Sequence, residues 1–153
     1  MSKSRAYYFG NMYLSAIQQG IQALHCTSEM YLKYHPKGTF DVDAVRKSAD
    51  LYEWGDSQKT VVLMNGGDCG ALAGVAELMS KEDNPYAWAD WHEGVPDLNG
   101  ALTCVGIILP ARIYESAKEL RRPPRYRVKD MIATDLTEWE LVFINMLNGC
   151  RLA

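Results

Sequence analysis

The chain is expected to fold as an α/β domain, a mixed and roughly four-stranded sheet covered by helices, with one further helix at the C-terminal end. Three observations predict this. Short β-prone or continuously apolar runs alternate with longer segments of helical period. Most helical segments open on a capping residue or a proline. The length of 153 residues, with 48% hydrophobic and 23% charged, suffices for one domain with a buried core.

Residues 5–11 are aromatic and β-prone and lead directly into a helix over 14–34. His35-Pro36-Lys37-Gly38 ends that helix, because Pro36 disfavours helical geometry at His35 and Gly38 supplies turn freedom. A shorter helix over 43–51 is entered through Asp41. Residues 60–64 form a continuous apolar run suited to a strand buried on both faces. Asn65-Gly66-Gly67-Asp68 then opens a helix to residue 79, either with Asp68 as a plain N-cap or with backbone N–H groups offered to a phosphate. Residues 86–91 alternate aromatics with small or acidic residues and read as a strand, and 101–109, β-branched and glycine-bounded, reads as a stronger one. Pro110 starts a helix to residue 120. The closing helix over 137–147 begins with a T-x-x-E capping box, Thr137 and Glu140, and stops at Asn148-Gly149. Its face of Trp139, Val142, Phe143 and Met146 needs a partner surface, on the same domain or on another subunit. The chain thus divides into an α/β domain over 1–122 and a Pro/Arg connector with a helix over 123–153.

Within the first helix, Gln18, Gln22, His25 and Glu29 fall on one narrow stripe at about 100° per residue. The apolar arc Leu14, Ile17, Ile21, Leu24, Tyr31 and Leu32 lies roughly 90° round from it and is read as the face toward the core. The stripe would then border the core as a polar cleft wall, whose amides and imidazole bond a ligand without burying charge. The plainer alternative is a wet helix flank. A second candidate is Tyr86, Trp88, Trp91, His92, Glu93 and Gly94, aromatic faces ahead of a glycine bend that either stack on a base or pack in the core.

A formal net charge of −3 and a pI near 5.6 argue against attraction of nucleic acid by the whole surface. A local anion site, or only a solvated connector, is offered by Arg121, Arg122, Arg125, Arg127 and Lys129 around Pro123 and Pro124. Four widely spaced cysteines without C-x-x-C, and no charged-then-apolar opening segment, point to a reducing, cytoplasmic setting. No apolar run approaches the ~18 residues needed to span a bilayer, so no membrane is expected as a partner. His25, His35 and His92 lack zinc-ligand spacing, and no P-loop, dinucleotide glycine fingerprint or G-x-S-x-G is present, so neither metal nor cofactor is expected.

The stretch from Ala16 through Gln22 to His25, the bend His92-Glu93-Gly94, and Thr103-Cys104-Val105-Gly106-Ile107-Ile108-Leu109-Pro110 carry a family likeness. Together with residues 59–64 and Trp54 ahead of them, they resemble the type II peptidyl-tRNA hydrolases of archaea and eukaryotes over residues 7–121. Gln22 and His25 fall on that family's glutamine and histidine, in a pattern like G-K-x-A-x-Q-x-x-H. The resemblance also implies what has changed. The family's site lysines align with Ala16 and Gln18, and its acidic partner aligns with His92, with Asp90 and Glu93 close by. Loss of one oxyanion-hole donor costs on the order of 10²–10³ in rate, so the implied cleft recognises a nucleotide instead of cleaving an ester. The chain is similar, too, to small divergent tailed-phage proteins of this fold, and compact phage proteins include sponges for cyclic nucleotide alarm signals. On that likeness the expected ligand is a nucleotide, such as a cyclic dinucleotide of the cyclic GMP-AMP kind, and the expected setting is a host cytoplasm. Tyr13 and Trp91 would stack on bases, Gln18, Gln22, His25, His92 and Thr103 would read polar edges, and Arg125 and Arg127 would meet phosphates. The C-terminal helix would supply a dimer or tetramer. Two alternatives are a peptidyl-tRNA or aminoacyl-ester hydrolase using His25, Thr103 and a nearby acid, and an oligomeric interaction protein with a vestigial cleft.

Overall fold

A computed structural model describes residues 3–35 and 41–153, so the turn expected at Pro36 and Gly38 lies outside the described residues. The elements are β1 (Ser4–Gly10), α1 (Ala16–Lys33), α2 (Val42–Glu53), β2 (Val61–Asn65), α3 (Cys69–Met79), β3 (Trp88–His92), α4 (Val95–Leu98), β4 (Leu102–Pro110), α5 (Ala111–Arg121), α6 (Glu138–Gly149) and β5 (Arg151–Leu152). The strands form one mixed sheet in the order β3-β4-β1-β2-β5. β1 runs parallel to β2 and antiparallel to β4, which is itself antiparallel to β3. The sheet has five strands, not the four expected. The fifth is two residues that leave α6 and pair with Met64 and Asn65, too short to carry any periodicity of its own.

Alternation along β1 builds a core on each face of the sheet. Tyr7 and Phe9 join Val105, Ile107 and Leu109 under α3, α5 and α6. Ala6 and Tyr8 join Cys104 and Ile108 under α1 and α2, with Trp54 from the π-helical turn Trp54–Gln58. Capping sets where the helices start. Asp41 Oδ1 accepts from Asp43 N (3.0 Å), Asp68 Oδ1 accepts from Ala71 N (2.9 Å), and Thr137 and Glu140 close a reciprocal box. Asp68 therefore serves as the plain N-cap of the two alternatives at that loop.

The apolar arc of α1 does not face the core. Its buried residues are Gln19, Gln22, Ala23, Cys26 and Met30, whereas Ile17, Ile21, Leu24 and Leu32 are exposed. The reason lies in the sheet. A Cβ on Gly106 of β4 would come within 2.6 Å of the Tyr8 ring and 2.7 Å of Met30 Cε, so helix and strand approach too closely for the branched residues. Ala23, Cys26 and the slender Met30 fill that contact, and the bulkier arc is left outward.

Of the face expected on the last helix, Trp139 and Phe143 pack on the sheet, Met146 is half-buried beside them, and Val142 is exposed. Trp139 and Phe143 are buried, their rings stack at 5.2 Å, Phe143 meets Phe9 edge-on at 6.5 Å, and Trp139 Nε1 donates to Leu78 O (2.9 Å). α6 continues through Gly149, beyond the stop expected at Asn148-Gly149, and yields to extended backbone at Cys150. The connector before it forms two single 3₁₀ turns, Pro124–Tyr126 and Lys129–Met131, docked on α5. Arg127 donates to Leu120 O (2.9 Å) and Arg122 O (2.8 Å), and Glu119 accepts from Val128 N (3.1 Å). Among the described residues no helix is long and apolar enough to cross a membrane.

Glu140 is fully buried and tied on every side. Its carboxylate accepts from the Tyr86 hydroxyl, from the Arg112 guanidinium and from Thr137 N (2.8 Å). Burial and this carboxylate push the Tyr86 hydroxyl well above the ordinary tyrosine range, so it remains a donor. Removing one member of a buried ionic cluster leaves the others desolvated without a partner, at a cost of about 3–5 kcal/mol. Glu140→Ala should lower the urea-unfolding free energy by that amount.

Candidate functional site

β1, β2 and β3 all run the same way, so their carboxyl ends share one edge of the sheet. Trp91, Cys104, Gly10 and Asn65 pair in a row across it. Chain then leaves β1 for α1 and β2 for α3 at that edge, the position where open α/β sheets bind ligands. The loops are stitched together by Asn11 N to Thr103 O (3.0 Å), Met12 N to Gly67 O (2.8 Å) and Gly66 N to Gly10 O (2.8 Å). Gly67 holds φ at +81°, which lets this loop bend without a Cβ clash.

α1 packs on β3 and β4 beside this edge, and there the His25 imidazole lies on the Trp91 indole, centroids 4.8 Å apart and planes 16° from parallel. Around the stack the hydrogen-bond network is incomplete. Among the described residues, four buried side-chain polar atoms have no partner: Gln19 Oε1, Gln22 Oε1, Trp91 Nε1 and Glu93 Oε1. Two belong to the first half of α1 and two to the end of β3 and the residue after it. Three of these atoms are acceptors and one is a donor, and they contrast with the fully bonded carboxylate of Glu140. Each such atom costs about 1–3 kcal/mol until something bonds it. Gln19 reaches this position because Gly10 has no side chain; a Cβ there would meet Gln19 Oε1 at 2.9 Å.

A hollow of about 350 Å³ follows the α1–β3 seam between Glu29, Leu32, Lys33, Ala89 and Asp90. Lys33, the basic residue of α1, sits over the Trp88 ring 3.6 Å from its centroid, and burial lowers its ammonium below the ordinary lysine range. A larger hollow of about 540 Å³ lies elsewhere, on the face of α5 and α6, between Arg5, Tyr7, Tyr114, Lys118 and Arg121. Neither hollow is lined by His25, Trp91 or any of the four unpartnered atoms; the α1–β3 edge is the candidate because the ring stack and three of those atoms belong to its two elements.

The residues singled out in the sequence separate into two groups. Gln22, His25, Trp91 and Thr103 come together: Gln22 is one turn from His25, His25 stacks on Trp91, and the buried Thr103 donates to Trp91 O (3.4 Å). The others do not join them as expected. Gln18 Oε1 accepts from Ser15 N (2.9 Å) in a capping box at the start of α1. His92 is held by its ring nitrogens between Gly100 O (3.1 Å) and Asp90 (3.4 Å), which fixes the turn after β3. Tyr13 is exposed on the loop ahead of α1. Arg125 lies over the Tyr126 ring at 4.7 Å and Arg127 is bonded to the backbone after α5, so the basic segment belongs to the opposite face of the sheet from α1. Gln19 is the addition, and Glu93, named in the aromatic segment ahead of the glycine bend, has a buried oxygen without a partner. Gln19 falls on the buried face of α1, which is recognisable only once the inversion of that helix is known.

All four cysteines are free, and among the described residues no three His, Cys, Asp or Glu side chains gather to hold a metal. No protein-family model matches the chain, and no curated protein matches it. Gln22→Leu keeps the volume and removes an unpartnered buried oxygen, so it should raise the unfolding free energy by about 1 kcal/mol in urea titration. A loss of stability of that size would show that Gln22 already has its partner within the fold.

Proposed function

We propose that the α1–β3 edge binds a nucleobase-bearing ligand and does not cleave it. The carrying observation is the coincidence of a stacked His25–Trp91 pair with four unpartnered buried polar atoms. A base presents a flat face to extend such a stack and an edge of alternating donors and acceptors to meet Gln19, Gln22, Trp91 Nε1 and Glu93. The strand, loop and helix ahead of Gln22 and His25, and the mixed α/β sheet, suit a fold like that of the type II peptidyl-tRNA hydrolases. Ala16 and Gln18 stand where that family carries lysines, and Lys33 is committed to Trp88. Without a cation at the stack, charge developing on an ester oxygen has no stabiliser, while neutral amides and rings remain suited to recognition. On this reading the protein sequesters its ligand, a cyclic dinucleotide being the class that the resemblance favours.

Incubation with a panel of cyclic and linear dinucleotides, followed by heat release and chromatography, should return a bound ligand intact. Conversion of the ligand would establish an esterase or phosphodiesterase instead, and no retention of any member would remove the nucleotide reading. Trp91→Ala should weaken binding by about 10- to 100-fold, in line with ~1–3 kcal/mol per stacked base. Arg125→Ala with Arg127→Ala should leave affinity unchanged, because those guanidinium groups belong to the other face.

A further inference from the structure

Among the described residues, nothing covers an apolar seam on the outward face of α1. Ile17, Ile21, Leu24 and Ser28 recur at alternating spacings of four and three, the a/d pattern of a coiled coil, with Leu14 just ahead of the helix and the half-buried Tyr31, edge-on to Tyr52, at the two ends of the line. Ile17, Ile21, Leu24 and Leu32 are 78%, 45%, 69% and 64% exposed, and Tyr13, just ahead of the helix, is 79% exposed. Together they present on the order of 700 Å² of accessible surface, above the usual ceiling for a monomer's scattered apolar patches and close to one partner's share of a standard interface.

We propose that this face is a two-fold dimer interface in which α1 packs antiparallel on α1 of a second copy. Charge selects that occupant. Residues 16–28 contain no Asp, Glu, Lys or Arg, so the seam can meet itself without like-charge repulsion and offers a charged partner nothing to read. A lipid surface is disfavoured for the same reason, since an interfacial helix flanks its apolar face with several basic residues and α1 has Lys33 alone. An isologous antiparallel pair needs every a position opposite a partner's d position. One register does this within the helix: Ile21 opposite the partner's Leu24 and Ile17 opposite the partner's Ser28. The same register brings Tyr13, just ahead of the helix, toward the partner's Leu32. The inference stands independently of what the α1–β3 edge binds.

Sedimentation at micromolar concentration should give a dimer of the 17.2 kDa chain. Ile17→Glu with Leu24→Glu should shift it to monomer, raising the dissociation constant at least 100-fold with an unchanged circular dichroism spectrum, since neither side chain is in the core. A wild-type monomer at 100 μM, or a dimer indifferent to both charges, would overturn the proposal. The register has its own check in a Cys69→Ser background. Ile17→Cys with Ser28→Cys should cross-link copies on mild oxidation and Ser28→Cys alone should not; cross-linking by the single variant would indicate a parallel pair and refute the arrangement.

Discussion

β1 is the strand that everything else is measured from. It pairs on both sides, with β2 and β4, and its side chains alternate between two cores, so neither its register nor its orientation can change without exposing one of them. Seven residues thereby fix which helices cover which face. They also fix the edge at which β1 ends, and with it the place where Gly10 gives way to the loop into α1 and Trp91 stands two strands away. The candidate site is a consequence of this strand's direction.

The two sheet faces treat buried polar groups in opposite ways. Under α6, a carboxylate, a guanidinium, a phenol and a backbone N–H satisfy one another around Glu140, and the helix is locked to the sheet. At the α1–β3 edge, polar atoms are buried and left waiting. The first arrangement contributes rigidity through complete hydrogen bonding; the second holds donors and acceptors in place at a standing cost to the fold. Groups positioned in advance bind with less loss of freedom than groups that must be ordered, which is the advantage such a cost can support.

Much of the fold was legible because it rests on local rules. Asp41, Asp68 and the Thr137–Glu140 pair cap helices where single-residue chemistry says they should, and the continuous apolar run before Asn65 is a strand, although with Val61 exposed it is not buried on both faces as expected. The failures come from contacts between distant segments. Gly106, more than seventy residues from Met30, decides that α1 presents Ala23 and Cys26 to the sheet, and no helical period contains that information. The apolar moment of α1 was a true feature with the wrong addressee, since it points to the surface. Of the site, Gln22, His25, Trp91 and Thr103 were recognisable as chemistry, but the bulge between Trp91 and His92, which separates a stacking ring from one that braces a turn, belongs to the pairing of β3 with β4. Gln18 could have been set aside from sequence, because Ser15 three residues earlier spells the same capping box found at Thr137.

The cluster at Glu140 has a bearing on biosynthesis. Tyr86 and Arg112 emerge 54 and 28 residues before the carboxylate that completes them, so the earlier strands leave the ribosome with that face still hydrated. The cluster closes only once α6 has been made, and a chain ending ahead of Thr137 would leave Tyr86 and Arg112 without the carboxylate they share.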